Sequence, residues 1–398
     1  MEFKLYTPTD EHQMLRDMVR NFTKEKIEPQ AEHYDKVEQF NTKLFRELGD
    51  LGLLGISIGE EYGGSGLDAV AAVIAHEEIS YSDPGFCLAY LAHAMLFVNN
   101  FYVNANDEQR KAILPKMCSG EFIGAMGMSE PDAGTDVMGM STTAKLEGDY
   151  YVLNGRKMWI TNGCIDDSGT PCDGVLVYAK TGMNGTRPQI SSFLVQKGDP
   201  GFSVGQKITG KLGMRASNTA ELVFDNCKVH KKWLIGKEGD SVTHMMKNLE
   251  LERLTLAAMS LGIARRSLEI MVRYAEEREA FGKSISQFGQ IQKMIADSFA
   301  EFRASRAYVY QTARKLKVSG SGDRLDSDGV KLFVTTAAKN IADRAIQVLG
   351  GYGYVSEYVV ERLWRDAKLL EIGGGTLEAH QKNITRDLVK AMQQITAE

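Results

Sequence analysis

Apolar residues recur every three or four positions, with charges between them, over residues 11–19 and 42–54, the spacing of helices with one buried face. Gly63, Gly64, Ser65 and Gly66 interrupt that texture. Beyond them, residues 69–80 and 86–98 are apolar almost throughout, which predicts helices buried on most sides. From about residue 122 the pattern changes to short pieces bounded by Gly, Asn and Asp: 150–153, 158–160, 174–178, 191–195 and 220–224 each read as a strand. The Asn154-Gly155 step predicts a hairpin turn between the first two. From about residue 240 helical periodicity returns, broken by Ser319-Gly320-Ser321-Gly322 and by Gly350-Gly351-Tyr352-Gly353. The expected order is a helical domain over 1–121, a β domain over 122–238 and a second helical domain over 239–398, an α+β chain.

With 398 residues the chain is too long for one small core and long enough to enclose a large cofactor. A net charge of −5 and the lack of a basic run argue against a nucleic-acid or anionic-membrane partner. No uninterrupted apolar stretch approaches the roughly 20 residues of a membrane span, and Met1-Glu2-Phe3-Lys4 opens neither a secretory nor an Arg-rich transit segment. A cytoplasmic (bacterial) protein, or a processed mitochondrial-matrix form, is expected. Cys87, Cys118, Cys164, Cys172 and Cys227 are odd in number and unpaired in spacing, so reduced thiols are expected rather than disulfides. The seven histidines show no H-E-x-x-H spacing, so no metal site is expected, and His93 reads as a core histidine. The segment from Cys164 to Cys172 has no evident role in the pattern.

Chemistry concentrates in two places. Met128-Ser129-Glu130-Pro131-Asp132-Ala133-Gly134-Thr135-Asp136 is a polar loop whose small residues let backbone N–H groups approach a ligand. Some twenty residues later, Asn154-Gly155-Arg156-Lys157-Met158-Trp159-Ile160-Thr161-Asn162 presents an aromatic ring and a hydroxyl. Taken with Arg278-Glu279-Ala280-Phe281-Gly282-Lys283, Gln347-Val348-Leu349-Gly350-Gly351-Tyr352-Gly353-Tyr354 and Arg365-Asp366-Ala367-Lys368, these motifs make the chain resemble the acyl-CoA dehydrogenase family from Met14 to Arg386. The resemblance implies the fold of that family: an N-terminal helical domain, a middle β-barrel-like domain and a C-terminal four-helix bundle. It also implies FAD as cofactor, an acyl-CoA substrate, an electron-transfer flavoprotein as acceptor and a homotetramer. By the same resemblance Met128 and Ser129 meet the flavin pyrimidine edge, Thr135 faces the phosphates and the substrate, Trp159 covers the ring and Thr161 approaches N5. Arg278, Phe281, Gln347 and Gly351 resemble the set that reaches the FAD of a neighbouring subunit, and Thr376 and Glu378 are carried over as further cofactor contacts. Gly289 stands where the family commonly has Gln, which leaves that role to Gln290 or Gln292.

Most members of the family hold the catalytic carboxylate in a Tyr-Glu-Gly-Thr motif near the C-terminus. Here Gly373-Gly374-Gly375-Thr376 matches it, without a carboxylate. Glu252 matches the alternative position used by some members and is the expected base. Glu250 lies two residues away, about 200° around the helix, and cannot share that face. Glu250, Arg253, Leu88, Ala92, Gly373 and Gly374 are the expected substrate contacts, Gly374 through its N–H. Two glycines in place of Tyr and Glu remove bulk beside the acyl chain, which suggests a short branched thioester of the isovaleryl type. A bulkier alicyclic, aromatic or long-chain ester is the alternative, and a non-dehydrogenase member of the fold is the reading from another class.

Overall fold

The structure, a computed structural model, describes residues 4–320 and 324–395. Met1, Glu2 and Phe3, and Ser321 and Gly322 of the expected interruption, lie outside the described residues.

Seven helices open the chain: α1 (Asp10–Phe22), α2 (Glu28–Val37), α3 (Thr42–Asp50), α4 (Ala69–Ser82), α5 (Pro84–Leu91), α6 (Asn100–Asn104) and α7 (Asp107–Ser119). Short polar side chains immediately before the apolar runs set their starts: Asn41 accepts from Leu44 N, Asp68 from Ala71 N and Asp83 from Phe86 N. α3 stops four residues short of the expected end because Gly52 turns the chain at φ 71°.

α5 continues through a π-helical stretch, Ala92–Asn99, into α6. Pro84–Asn104 is therefore one continuous helix of 21 residues, long and apolar enough by length and composition to cross a membrane, although His93, Asn99 and Asn100 interrupt its apolar run. Its burial explains that composition, because 83% of its apolar window lies inside the protein. His93 is a satisfied core histidine there, Nε2 donating to Met117 O and Nδ1 accepting from Gly124 N, both at 3.0 Å.

The middle of the chain forms β1 (Gly124–Gly127), β2 (Thr143–Glu147), β3 (Tyr150–Thr161), β4 (Gly174–Asn184), β5 (Arg187–Gln196), β6 (Phe202–Lys207), β7 (Thr219–His230) and β8 (Leu234–Ile235). They make one sheet in the order β6-β7-β3-β2-β4-β5-β8, with β1 parallel to β4. The Asn154-Gly155 hairpin does not form. β3 runs straight through that step, and the turn falls at Gly148 and Asp149, between the paired Glu147 and Tyr150. Gly155 serves close approach instead: a Cβ there would sit 2.4 Å from Thr142 Oγ1.

The C-terminal part comprises α8 (Ser241–Glu277), a small β9 (Glu279–Ala280) and β10 (Lys283–Ser284) pair, α9 (Gly289–Lys315), α10 (Arg324–Leu349), α11 (Val360–Leu370) and α12 (Leu377–Ile395). α8 packs on α4 of the first layer as well as on α9 and α10, so it joins the two helical layers. Around this junction, Arg16, Arg265 and Arg306 surround the fully buried Glu77 and Glu78. Burial would raise the Glu77 carboxyl, but the three guanidiniums hold it below its ordinary range.

The 164–172 segment now has a physical account. Asp166 folds it on itself, accepting from Thr170 N at 2.9 Å and Ser168 Oγ at 2.7 Å. Asp167 takes hydrogen bonds from Gln39 at the end of α2 and from Lys207 of β6, and Lys207 also donates to Glu38 O at 2.8 Å. Ile165 packs on both the helical and the sheet core. The segment is a latch between the first helical layer and the sheet.

Gly262, in the middle of α8, marks the closest approach to α4: a Cβ there would lie 2.2 Å from Ser80 Oγ and 2.6 Å from the Glu77 carbonyl oxygen. Gly262→Ala is expected to destabilise the protein by about 1–3 kcal/mol despite its better helix propensity. A lowered denaturant midpoint checks this; an unchanged or raised midpoint refutes the close-packing account.

Candidate active site

Glu252 lies about a third of the way along α8, 6% exposed, and its Oε2 has no hydrogen-bond partner among the described residues. Burial pushes its carboxyl up to about 7, with Arg253 and Lys331 opposing that rise. Facing it is the turn after α11, where Gly374 and Gly375 both adopt positive φ, 66° and 97°. A Cβ built on Gly374 would lie 3.2 Å from Glu252 Oε1, so a side chain from residue 374 and the carboxylate from residue 252 converge on one place. The same Cβ would lie 2.3 Å from Leu256 Cδ1. The volume expected to be vacant at residue 374 is thus held by Leu256, one helical turn after Glu252. At Gly373 the room is real, since the nearest atom to an added Cβ is Leu369 O at 3.6 Å.

The other expected substrate contacts divide. Leu88 and Ala92 are buried along the α5 and π-helical segment, and Leu88 packs into the helical core. Glu250 is buried. Arg253 is committed to a buried ion pair, Nη1 to Asp328 Oδ1 at 3.0 Å, rather than projecting to solvent. Thr376 caps α12, its hydroxyl accepting from Ala379 N at 3.3 Å, and Glu378 is exposed in the first turn of that helix. Sequence reasoning assigned no role to Lys331, Asp328 or His380, which form a buried cluster behind the glycine turn. A lone lysine in the apolar run Val330-Lys331-Leu332-Phe333-Val334 was the available signal.

The loop carrying Met128 and Ser129 is fixed to β3 by a buried pair. Lys157 Nζ donates to Glu130 Oε1 at 2.8 Å and to Met128 O at 3.1 Å, and Met158 N donates to Ser129 O at 2.9 Å. Burial would raise Glu130, but Lys157 and neighbouring donors hold it down at about 2, while burial lowers Lys157 to about 8. The pair is ionised at neutral pH. Lys157 lies inside the 154–162 motif, but only its inward register on β3 reveals its use.

Next to this pair, the bulge between Lys157 and Ile160 puts Trp159 at φ 66° and leaves the residue 63% exposed. A non-glycine residue held left-handed to present an aromatic face is a candidate for a functional surface. Thr161 is half-buried beside it. Asn162 follows at φ 62° and donates to Ala89 O at 2.8 Å, while its Oδ1 and both amide atoms of Asn218 are buried without partners among the described residues. A presented aromatic ring next to buried, unsatisfied amides fits a planar heterocycle with a polar edge, as a flavin is. Thr135 sits on the exposed part of the loop.

Arg278, Phe281 and Gly351 line a separate open groove of ≈ 740 Å³, with Tyr274, Tyr352 and Gln290. Phe281 is 95% exposed at φ 53°. Gln347 is exposed, and the next residue, Val348, lines the groove. Of the two glutamines that could serve in place of a side chain at Gly289, Gln290 faces this groove and Gln292 donates to Ser286 O at 3.1 Å. Among the described residues no group of three or more His, Cys, Asp or Glu is placed to hold a metal ion.

The chain matches the acyl-CoA dehydrogenase N-terminal domain over residues 9–121, the middle domain over 125–227 and the C-terminal domain over 240–389. It is 42% identical over 383 residues to a mitochondrial isovaleryl-CoA dehydrogenase of Oryza sativa subsp. japonica, covering 96% of this chain and 92% of that one. Among solved structures it is similar to butyryl-CoA dehydrogenase from Megasphaera elsdenii, with TM-score 0.90, 33% identity, and 96% and 98% of the two chains covered. It is also similar to a structure described as the electron transferring flavoprotein of Acidaminococcus fermentans, with TM-score 0.89, 36% identity, and 98% and 99% covered. The chain belongs to the acyl-CoA dehydrogenase family. It is an enzyme of that class, an oxidoreductase with FAD as its cofactor.

Lys157→Met removes the cation that holds the Met128–Ser129 loop and leaves Glu130 buried without it, a loss of about 3–5 kcal/mol for breaking one side of a buried pair. The purified variant is expected to carry less flavin per chain than the parent. Equal flavin content, read from the ratio of flavin to protein absorbance, would show that the pair does not shape the cofactor site.

Proposed function

We propose that the enzyme dehydrogenates a short branched acyl-CoA, isovaleryl-CoA foremost, to the 2-enoyl-CoA, with Glu252 as the base. The observation that carries this reading is the convergence of Glu252 Oε1 on the place a residue-374 side chain would enter, 3.2 Å from its Cβ. A carboxylate from either position meets the same substrate atom. Bound FAD supplies the hydride acceptor for the Cβ hydrogen. Glu252 takes the Cα proton, and its raised proton affinity suits that work near neutral pH, since a carboxylate at its ordinary value is a weaker base for a C–H bond. A hydrogen bond from Gly374 N–H to the thioester carbonyl is proposed to stabilise the enolate that develops.

In this reading Met128, Ser129, Thr135, Trp159 and Thr161 meet the flavin of their own chain. Arg278, Phe281, Gln347 and Gly351, with Gln290, meet the FAD of a neighbouring subunit in a homotetramer. The open, aromatic-rimmed groove supports this, as does the fit of a guanidinium to a pyrophosphate. An electron-transfer flavoprotein is proposed as the acceptor, in keeping with the family and with the similarity to the A. fermentans structure. The branched substrate is supported by the rice relative and by the free space at Gly373, whereas the M. elsdenii relative is named for a straight-chain ester.

Glu252→Gln is expected to keep its flavin and to lose about 10²–10⁴-fold in substrate-driven flavin bleaching. Adding Gly374→Glu restores only part of the rate, because a left-handed non-glycine residue costs about 1–2 kcal/mol and Leu256 must move. Bleaching by Glu252→Gln at close to the parental rate would make Glu252 a bystander.

Isovaleryl-CoA should exceed butyryl-CoA in kcat/KM, and Gly373→Tyr should reverse the order, a methyl in a fitted pocket contributing about 1–3 kcal/mol. A turnover screen of branched, straight, cyclic and aromatic esters decides this. Preference for the straight chain in both variants removes the pocket argument.

A further inference from the structure

Behind the glycine turn lies a lysine that the proposed chemistry does not use. Lys331, on α10, is fully buried, and its Nζ donates to Gly375 O at 2.6 Å. His380 of α12, also fully buried, places Nε2 3.0 Å from the same oxygen; a neutral imidazole has one N–H to share between that carbonyl and the carboxylate at Nδ1, so the Lys331 ammonium is the donor to Gly375 O that does not depend on the tautomer. His380 Nδ1 meets Asp328 Oδ1 at 2.6 Å, and Asp328 also pairs with Arg253, the residue after Glu252. The Lys331 hydrogen bond holds the peptide plane after Gly375, and with it the neighbouring glycine whose Cβ position faces Glu252.

We propose that Lys331 is a positioning residue for the acyl-CoA site: through the Gly375 carbonyl it holds the glycine turn against Glu252, and it is a buried counter-charge for that carboxylate. This rests on Glu252 being the base. An ammonium kept wholly out of water is costly, and a purely packing role would be filled better by Leu or Met. The charged and titratable groups acting on Glu252 are Arg253 from its own helix, Lys331 from α10 and the Tyr178 hydroxyl from β4. Those acting on Lys331 are Glu252 and Arg253 from α8, Asp328 from α10, His380 from α12 and Glu371 beyond α11. Burial lowers Lys331 to about 7, and Glu252 is the largest influence holding it up.

The sign follows from the charges. Glu252 must be ionised to accept a proton, so the rate of flavin bleaching falls as pH drops through its pKa, giving an acid limb near 7 in the parent. Removing a positive charge disfavours the ionised form and moves that limb upward.

The test uses the flavin-loaded enzyme with Lys331→Gln, which keeps an N–H donor for Gly375 O but drops the charge, and Lys331→Met, which drops both. The acid limb is expected to move up by roughly 1–2 pH units in both, with a further loss of rate at high pH in Lys331→Met alone. Infrared titration of the buried carboxyl, assigned by its loss in Glu252→Gln, should move by the same amount and does not depend on turnover. A parental acid limb and a parental carboxyl titration in both variants overturn the proposal. Loss of folded protein in both, by thermal melting, also overturns it, since Lys331 would then serve the fold alone. If instead Glu252→Gln itself bleaches at the parental rate, the base assignment fails rather than the clamp.

Discussion

Keeping one carboxylate out of water is the constraint around which the candidate site is arranged. Glu252 is buried with one oxygen unpartnered, a situation costing several kcal/mol unless charge and geometry compensate. The compensation comes from three directions: Arg253 beside it, Lys331 across from it on α10, and a glycine turn that lets backbone rather than side chain approach it. Rigidity is a precondition, because a carboxylate on a mobile element would reach water and relax to an ordinary acid. α8 supplies that rigidity by packing on α4 in one layer and on α9 and α10 in the other, with the Glu77 and Glu78 charge cluster locking the junction.

The proposed flavin side of the site depends on a second joint, between sheet and helices. Three contacts make it. Lys157 and Glu130 bind the Met128 loop to β3, Asn162 at the end of β3 hydrogen-bonds Ala89 on α5, and the 164–172 latch ties the sheet to the end of α2. All three cluster around the strand end that presents Trp159 in a left-handed conformation. The strain of that residue is tolerable because its neighbours on both sides are pinned.

Much of this arrangement is legible in the sequence. Helix starts can be read because Asn41, Asp68 and Asp83 are short polar residues set directly before apolar runs, a local signal. Glu252 and the glycine turn are legible through a family motif rather than through physics, since nothing local distinguishes a buried helix carboxylate from a solvated one. The Asn154-Gly155 hairpin misleads because turn chemistry is necessary but not sufficient: Gly155 is needed to let Thr142 pass, a tertiary demand invisible in the dipeptide. Lys157, Lys331, Asp328 and His380 escape sequence reasoning for one reason. Glu130 lies 27 residues from Lys157, Gly375 lies 44 from Lys331 and Asp328 lies 52 from His380, and pairing of that range is decided by topology.

That topology also revises the argument about substrate shape. Reading two glycines as two vacated volumes treats each position as pointing into the same pocket. Gly373 does leave space, with only Leu369 near it, but Gly374 is left-handed and its missing Cβ points at Leu256 and Glu252. A carboxylate at 252, a leucine at 256 and a side chain at 374 compete for one volume, so a carboxylate can occupy that place from α8 only while residue 374 stays glycine. The glycine is therefore coupled to the carboxylate at 252, and under the proposed assignment of Glu252 as base it follows from that placement rather than from an independent adaptation to a branch. Substrate breadth then falls to Gly373 and to the rotamer of Leu256, a flexible side chain whose Cδ1 forms part of the wall facing the turn.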